Sequence, residues 1–350
     1  MRPSIRMSNS VAKRFGGTIT MGCDPLLAQP RMFADNLLYF SHGRSAMIWL
    51  IQNAGPFASA AICAYTWPEI PRMAGRYGLK VGFFDFGQEN IDGVIESLPG
   101  KCLVIVPVFY GFKPWIDYQA VAKKYQGKAV VLLDAAQTAF GFEDYPLPQG
   151  GAVLSCPHKA TALNDGAVLA VDGLSVEVKC RQQALMPAEE FRRIKAEGRR
   201  LLASGDDQIE QEGLKLIVQL EETWVSDPPQ RMSDLSQQEL ALLDPLAHAR
   251  IRRENYLCLK QELGKYLPSV TLPMGVPFAY AALTDDRSRI LKELYKRRVF
   301  ATALWPGAIY EANLHPRAAA HAQRLIALPI DQRYNTRDME QMAEIVTAVL

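Results

Sequence analysis

Between positions 59 and 171 the apolar residues gather into six short runs. They are AAICAY in the region 59–65, KVGFFDF at 80–86, CLVIVPV at 102–108, KAVVLLD at 128–134, AVLSC at 152–156 and GAVLAV at 166–171. Each run is close to unbroken, the pattern of strands buried on both faces. The stretches between the first five have helical spacing or polarity. Pro68 to Tyr77 is one; Trp115 to Tyr125 is another, with Ile116, Ala120, Val121 and Tyr125 recurring at helical intervals. Strands separated by helices predict an α/β fold with a mainly parallel sheet covered on both faces. The last two runs are too close together for a crossover helix, which predicts a hairpin-like pairing or an excursion at the sheet edge.

From about residue 187 the pattern changes. AEEFRRIKAEGRRLL and SQQELALLDPLAHARIRRENYLCLKQELGKYL read as amphipathic helices with solvated faces. The basic cluster Arg192, Arg193, Lys195, Arg199 and Arg200 reads first as such a face and second as an anion-binding surface. Asp227-Pro228-Pro229 predicts a turn before the connecting helix. Beyond about 265, strands near SVTLP, FAYAAL and LIALPI and helices at Arg287–Arg297 and Thr336–Leu350 predict a smaller α+β unit. The expected organisation is an N-terminal arm over 1–36, a large domain over 37–245 and a small domain over 246–350.

Composition narrows the classes. The chain has 350 residues, 49% hydrophobic and 22% charged, with a formal net charge of +2. That balance suits an ordinary globular protein and lacks the basic excess of a nucleic-acid binder. No apolar run approaches the length of a membrane helix, about 18 residues. The basic N-terminal stretch has no apolar segment behind it, so a cytoplasmic protein is expected. None of the six cysteines forms a CxxC pair, and the five histidines show no metal-ligand spacing, so no metal is expected. Dinucleotide, P-loop and HExxH motifs are absent.

Four places carry candidate chemistry. An apolar strand ends in Asp134, followed by Ala135, Ala136 and Gln137; ligands in open α/β sheets sit at such strand ends. A helix N-cap is the equally good alternative for that aspartate. Lys159 follows a strand and precedes another, where a desolvated lysine can act as a nucleophile toward carbonyls, although most loop lysines are simply solvated. Gly43-Arg44-Ser45-Ala46 opens a helix whose free amides suit a phosphate, or are a plain helix start. Trp67, just beyond a strand, can cover a flat ring or serve the core.

Taken together these motifs resemble the fold-type I pyridoxal-phosphate enzymes, and within them the DegT/DnrJ/EryC1/StrS sugar aminotransferases. The order is the family's: glycine-led helix, strand with aromatic, Pro107-Val108, Asp-Ala-Ala-Gln, then Ser155 and Lys159 about 25 residues beyond Asp134. The resemblance runs from about Leu37 to the C-terminus and includes QRMSDLSQQELALLDPLAHARIRRENY and the closing LIALPIDQRYNTRDMEQMAEIV. It implies pyridoxal 5'-phosphate as cofactor and an amino group moved from an amino acid, glutamate first, to a keto or aldehyde acceptor such as a nucleotide-linked keto sugar. Lys159 would bond the cofactor aldehyde and shuttle the proton. Asp134 would pair with the pyridine nitrogen, Gln137 with the phenolic oxygen, and Trp67 would stack on the ring. The amides of Arg44 and Ser45, with the Ser155 hydroxyl, would hold the phosphate.

The resemblance also implies a homodimer with the site at its interface, where Gln230-Arg231 is the candidate to reach the partner's phosphate. The chain departs from the family in four ways. Ser155 lies one residue nearer the lysine than usual, Gln230 stands near the place of the family's asparagine, Arg44 replaces a common threonine, and Asn164-Asp165-Gly166 follows the lysine. Relatives that dehydrate sugars carry histidine in place of the lysine; here Lys159 remains, and its neighbour His158 reads as a loop residue before a second base. A pyridoxal-phosphate lyase or decarboxylase, and a non-catalytic binding protein, stay open as alternatives.

Overall fold

The computed structural model describes residues 13–16, 19, 23–29, 36–138, 140, 144–224, 227–270, 274–305 and 310–350. The sheet is built from β1 (Leu37–Phe40), β2 (Ser59–Cys63), β3 (Lys80–Phe84), β4 (Cys102–Pro107), β5 (Ala129–Ala135), β6 (Ala152–Ser155) and β7 (Ala167–Val171). Their spatial order is β1-β7-β6-β5-β4-β2-β3. Strands β2 to β6 run parallel, and β7 is antiparallel to both neighbours. The predicted pairing of the last two runs is therefore present, but β7 is an interior strand and not an edge. Strand β7 has β6 on one side and β1 on the other. That four-residue strand, LLYF, is too short for its pattern to be read in advance.

Two apolar layers enclose the sheet. Along β5, Val130 and Leu132 enter one layer and Val131 and Leu133 the other, the alternation a pleated strand requires. On the first side lie α1 (Gly43–Ala54) and α2 (Glu69–Arg76); on the second lie α3 (Gln88–Ser97) and α4 (Tyr118–Lys124). Then come α5 (Val176–Gln183), α6 (Glu189–Leu202), α7 (Asp207–Thr223), α8 (Asp234–Leu242) and α9 (Pro245–Leu263). The single long helix expected over this last stretch is two, because Asp244 caps the second and Pro245 takes its first position. Helix α7 had no counterpart in the sequence reading.

The C-terminal unit consists of β8 (Ala279–Leu283) and β9 (Leu325–Pro329), paired antiparallel, with α10 (Arg287–Lys296), α11 (Pro316–Arg324) and α12 (Thr336–Thr347). Its apolar residues, among them Tyr280, Leu328 and Met339, join the second layer of the main sheet in one continuous cluster. Part of the SVTLP run, 271–273, lies outside the described residues, and Ser269 makes an isolated bridge to Ala282. Most of the expected N-terminal arm also lies outside them; Phe15 is fully buried and exchanges backbone hydrogen bonds with Arg298 and Phe300. Among the described residues, no helix is long and apolar enough to cross a membrane. Cys63, Cys102 and Cys156 are buried free thiols, and burial pushes Cys63 and Cys156 up to about 12.

The C-terminal unit is joined to the sheet where Phe278 N–H donates to the Tyr110 carbonyl and Gly275 N–H to that of Gly111. Gly111 has a φ of +76°, and a Cβ there would lie 2.1 Å from the Val276 carbonyl oxygen. Gly111→Ala should therefore lower the unfolding free energy by about 3 kcal/mol. Gly75→Ala, in open space on α2, should be neutral or stabilising by up to about 1 kcal/mol. Chemical denaturation of both variants checks the contrast.

Candidate functional site

A cavity of about 560 Å³ opens at the carboxyl ends of the central strands. Strand ends and the turns after them supply Val108, Asp134, Gln137 and Leu154 to its wall; the start of α1 supplies His42 and Arg44. Trp67, His158 and Lys159 add to it, as do Lys195, Arg199, Ile217 and Glu221 from α6 and α7. The C-terminal unit closes the far side with Phe278, Phe300, Trp305 and Arg333.

Asp134 stands opposite Pro107 on β4 and Leu154 on β6. Its carbonyl accepts the Val108 N–H at 2.8 Å, and its Oδ1 accepts the Ala136 N–H at 3.1 Å. Strand β5 continues through Ala135, and among the described residues no helix starts at Asp134, so the N-cap alternative does not apply. Burial raises its pKa above the ordinary carboxylate value, against the Lys159 ammonium and the Ala136 amide, which lower it. A carboxylate so placed favours a cation beside it. Gln137 accepts the Tyr110 N–H at 3.0 Å through Oε1, which leaves its NH2 group with donors to give.

Lys159 ends a short 3-10 turn, Pro157–Lys159, and is the exposed residue within the otherwise buried stretch 151–170. Its exposure is toward the cavity whose wall it forms. Two guanidiniums hold carbonyls of the loop that carries Lys159. Arg199 donates to the carbonyls of Ala162, Leu163 (2.8 Å) and His158 (3.0 Å). Arg252 donates to the Ala160 carbonyl at 3.0 Å, which also accepts from Gln332 at 3.0 Å. Asp24 accepts the Ala162 N–H at 2.6 Å.

The expected phosphate contacts are arranged differently from the sequence reading. The Ser45 N–H donates to His42 Nδ1 at 3.2 Å, and the Ser45 hydroxyl pairs with that of Ser41 at 2.9 Å. The Ser155 hydroxyl donates to the Thr138 carbonyl at 3.1 Å. Neither serine lies on the cavity wall, whereas Arg44 does. The Arg44 guanidinium carbon sits 5.3 Å from the Trp67 ring centre, and its Nη2 is buried without a partner. Gln230-Arg231, the candidate for reaching a partner, is held by its own chain. Gln230 N–H donates to Ser45 Oγ at 3.3 Å, the Gln230 carbonyl accepts the Ser41 N–H at 3.1 Å, and Arg231 bridges to Phe40.

The basic cluster on α6 is divided. Arg192, Arg193 and Arg200 form the expected solvated face, each paired with a glutamate three residues earlier. Lys195 and Arg199 instead turn inward, which corrects the first reading of those two. The signal was present: Phe191, Ile194, Lys195 and Gly198 share one face of the helix, so Lys195 occupies a core position of the apolar stripe. Lys195 Nζ lies 2.5 Å from Glu221 Oε1. Burial opposes ionisation of Glu221, but the Lys195 ammonium outweighs it and holds the carboxyl below its usual range. His158 is buried on the cavity wall, its Nδ1–H donating to the Gly166 carbonyl at 2.6 Å. Burial keeps both histidines neutral, His42 with a pKa of about 3.

No family model matches the chain, and no curated protein matches it. Solved structures do share its fold. A DegT DnrJ EryC1 StrS aminotransferase from Brucella abortus is 12% identical, with 89% of this chain and 85% of that one covered and a TM-score of 0.59. Helicobacter pylori PseC, an aminotransferase involved in the biosynthesis of pseudoaminic acid, is 14% identical over 89% and 86%, with a TM-score of 0.58. A GDP-4-keto-6-deoxymannose-3-dehydratase with a trapped PLP-glutamate geminal diamine is 15% identical over 89% and 88%, with a TM-score of 0.60. The fold of this chain is that of the pyridoxal-phosphate sugar aminotransferases, at a sequence distance that shows a fold and no more.

Proposed function

We propose that the protein is a pyridoxal-phosphate-dependent aminotransferase. It moves an amino group from an amino-acid donor, glutamate first, to the carbonyl carbon of a keto or aldehyde acceptor, a nucleotide-linked keto sugar. The observation that carries the reading is the meeting of Lys159 and Asp134 on one cavity wall at the strand ends of this fold. The residues fit the cofactor. The cavity has a free amine, a carboxylate raised by burial, an indole, a carboxamide with donors and a buried guanidinium nitrogen with no partner.

Bound there, the cofactor supplies an electron-poor ring that accepts the electron pair released at the substrate carbon. Lys159 Nζ would be the nucleophile toward the cofactor's aldehyde and the base that moves a proton to and from the substrate α carbon. Asp134 holds the proton on the ring nitrogen, since each charge favours the other. Gln137 donates to the phenolic oxygen, and Trp67 covers the ring face. The loop clamp of Arg199 and Arg252 keeps the amine of Lys159 in place while substrate and product exchange. The reading includes a homodimer, as the family resemblance implies, in the cytoplasm, as expected from the sequence.

Absorbance tests it. Wild-type protein mixed with pyridoxal phosphate should develop a near-visible band, and glutamate should convert that band to the amine form of the cofactor. Lys159→Ala should lack the band and all turnover. A variant spectrum identical to the wild type would show that another lysine is the anchor and that the reading of this loop is wrong.

Asp134→Ala should behave differently. The band should persist, because the amine is intact. Turnover should fall by about 30- to 1000-fold, the scale of losing one preorganised electrostatic group worth about 2–4 kcal/mol. Single-turnover rates with glutamate separate this loss from weaker cofactor binding.

A further inference from the structure

We propose that the chain holds the phosphate monoester of its cofactor through two buried side-chain cations, Arg44 at the start of α1 and Lys195 on α6. In this arrangement Glu221 of α7 is the carboxylate that balances them when the phosphate is away. The inference rests on the cofactor reading above and adds a ligand set to it.

Three observations lead there. First, two of the three donors expected to hold a phosphate at this helix start are occupied: Ser45 N–H by His42 Nδ1, and the Ser155 hydroxyl by the Thr138 carbonyl. Second, Arg44 is only 7% exposed, and its Nη2 has no hydrogen-bond partner. A buried guanidinium N–H left unpaired is costly, and an anion in the cavity would complete it. Third, Lys195 is 5% exposed on the same wall, and its ammonium has three donors, one of which meets Glu221 at 2.5 Å.

The charges agree. His42 and His158 are neutral, kept so by burial. Glu69, the other carboxylate near Arg44, is already paired with Arg72 at 2.7 Å and with Arg76. Arg199 also lines the cavity, but both of its terminal nitrogens donate to loop carbonyls. Arg44 and Lys195 against Glu221 leave one uncompensated positive charge. The Glu221 side chain is 35% exposed, against 7% for that of Lys195, so the carboxylate is the partner with room to move into solvent when a phosphate arrives. A guanidinium and an ammonium are the two side chains best suited to a phosphate. Both come from the same chain, so the site needs no partner residue for this purpose.

The test compares two probes that differ only in the phosphate, pyridoxal phosphate and pyridoxal, on the full-length chain freed of cofactor. The readout is equilibrium binding, followed by tryptophan fluorescence, and needs no activity. Wild type should prefer the phosphorylated compound, and inorganic phosphate should displace it without affecting pyridoxal. In Arg44→Met the preference should fall about tenfold or more, with the pyridoxal affinity unchanged. Lys195→Met strands a buried carboxylate and can fail to fold, so the double variant Lys195→Met/Glu221→Gln stands in for it and should show the same loss. Glu221→Gln alone should increase the preference, an outcome that a merely structural role for the pair does not produce. Unchanged preference in the Arg44 and Lys195 variants would overturn the proposal, as would an equal loss of both probes or no competition by phosphate. If wild type binds neither probe, the cofactor reading itself fails, and this inference with it.

Discussion

Four backbone carbonyls between His158 and Leu163 accept hydrogen bonds from two buried guanidiniums, and the geometry of the site depends on that clamp. The loop lies between β6 and β7 and carries Lys159, but it is neither strand nor regular helix beyond one short turn. Arg199 and Arg252 take the carbonyls of residues 158, 160, 162 and 163. Burial lowers both guanidiniums to about 10, so they remain charged at neutral pH. Hydrogen bonds to a charged group contribute about 1.5–3 kcal/mol each, and several of them offset the cost of burying the charge. The arginines come from α6 and α9, far apart in sequence, which ties the lysine's position to the packing of both helices.

The α6–α7 hairpin has a second consequence. Its helices approach closely at Gly198 and Gly213: a Cβ on Gly213 would lie 2.6 Å from the Gly198 carbonyl oxygen, and one on Gly198 the same distance from Ile217. Close contact of this kind fixes the rotation of α6 against α7. That rotation brings Lys195 and Glu221 together and turns both, with Arg199 and Ile217, toward the cavity. The hairpin therefore acts as a charged wall built in the same chain. It stands near the start of α1, where Lys195 and Glu221 line the same cavity as Arg44.

Electrostatics across the cavity are divided by burial. Near Lys159 and Asp134, burial raises the carboxylate and the neighbouring Lys159 ammonium opposes that rise. Near Arg44, that arginine and Lys195 face Glu221 while Glu69 is paired with Arg72 and Arg76, and burial keeps the histidines neutral. The two ends of one cavity thus favour opposite charges, as an elongated ligand with a basic ring and an anionic tail would require.

Much of this was legible beforehand. Six apolar runs predicted six strands because a strand buried on both faces leaves a pattern that survives without its neighbours. Asp134, Gln137, Trp67 and Lys159 could be singled out because strand ends and turns have local signatures. Local pattern did not reveal β1, four residues long, or the interior place of β7, since strand order is a property of pairing. It misjudged Lys195 and Arg199 as solvated, because a charged residue on an apolar stripe is decided by what packs against it, and α7 lay unread. It gave Ser45 and Ser155 a ligand's role, yet their donors are taken by His42 and Thr138, partners set by the fold. The sequence by itself singled out residues whose side chains could carry chemistry. Tertiary structure decided which of their hydrogen-bonding groups remain free, because only packing shows where every buried donor has already gone.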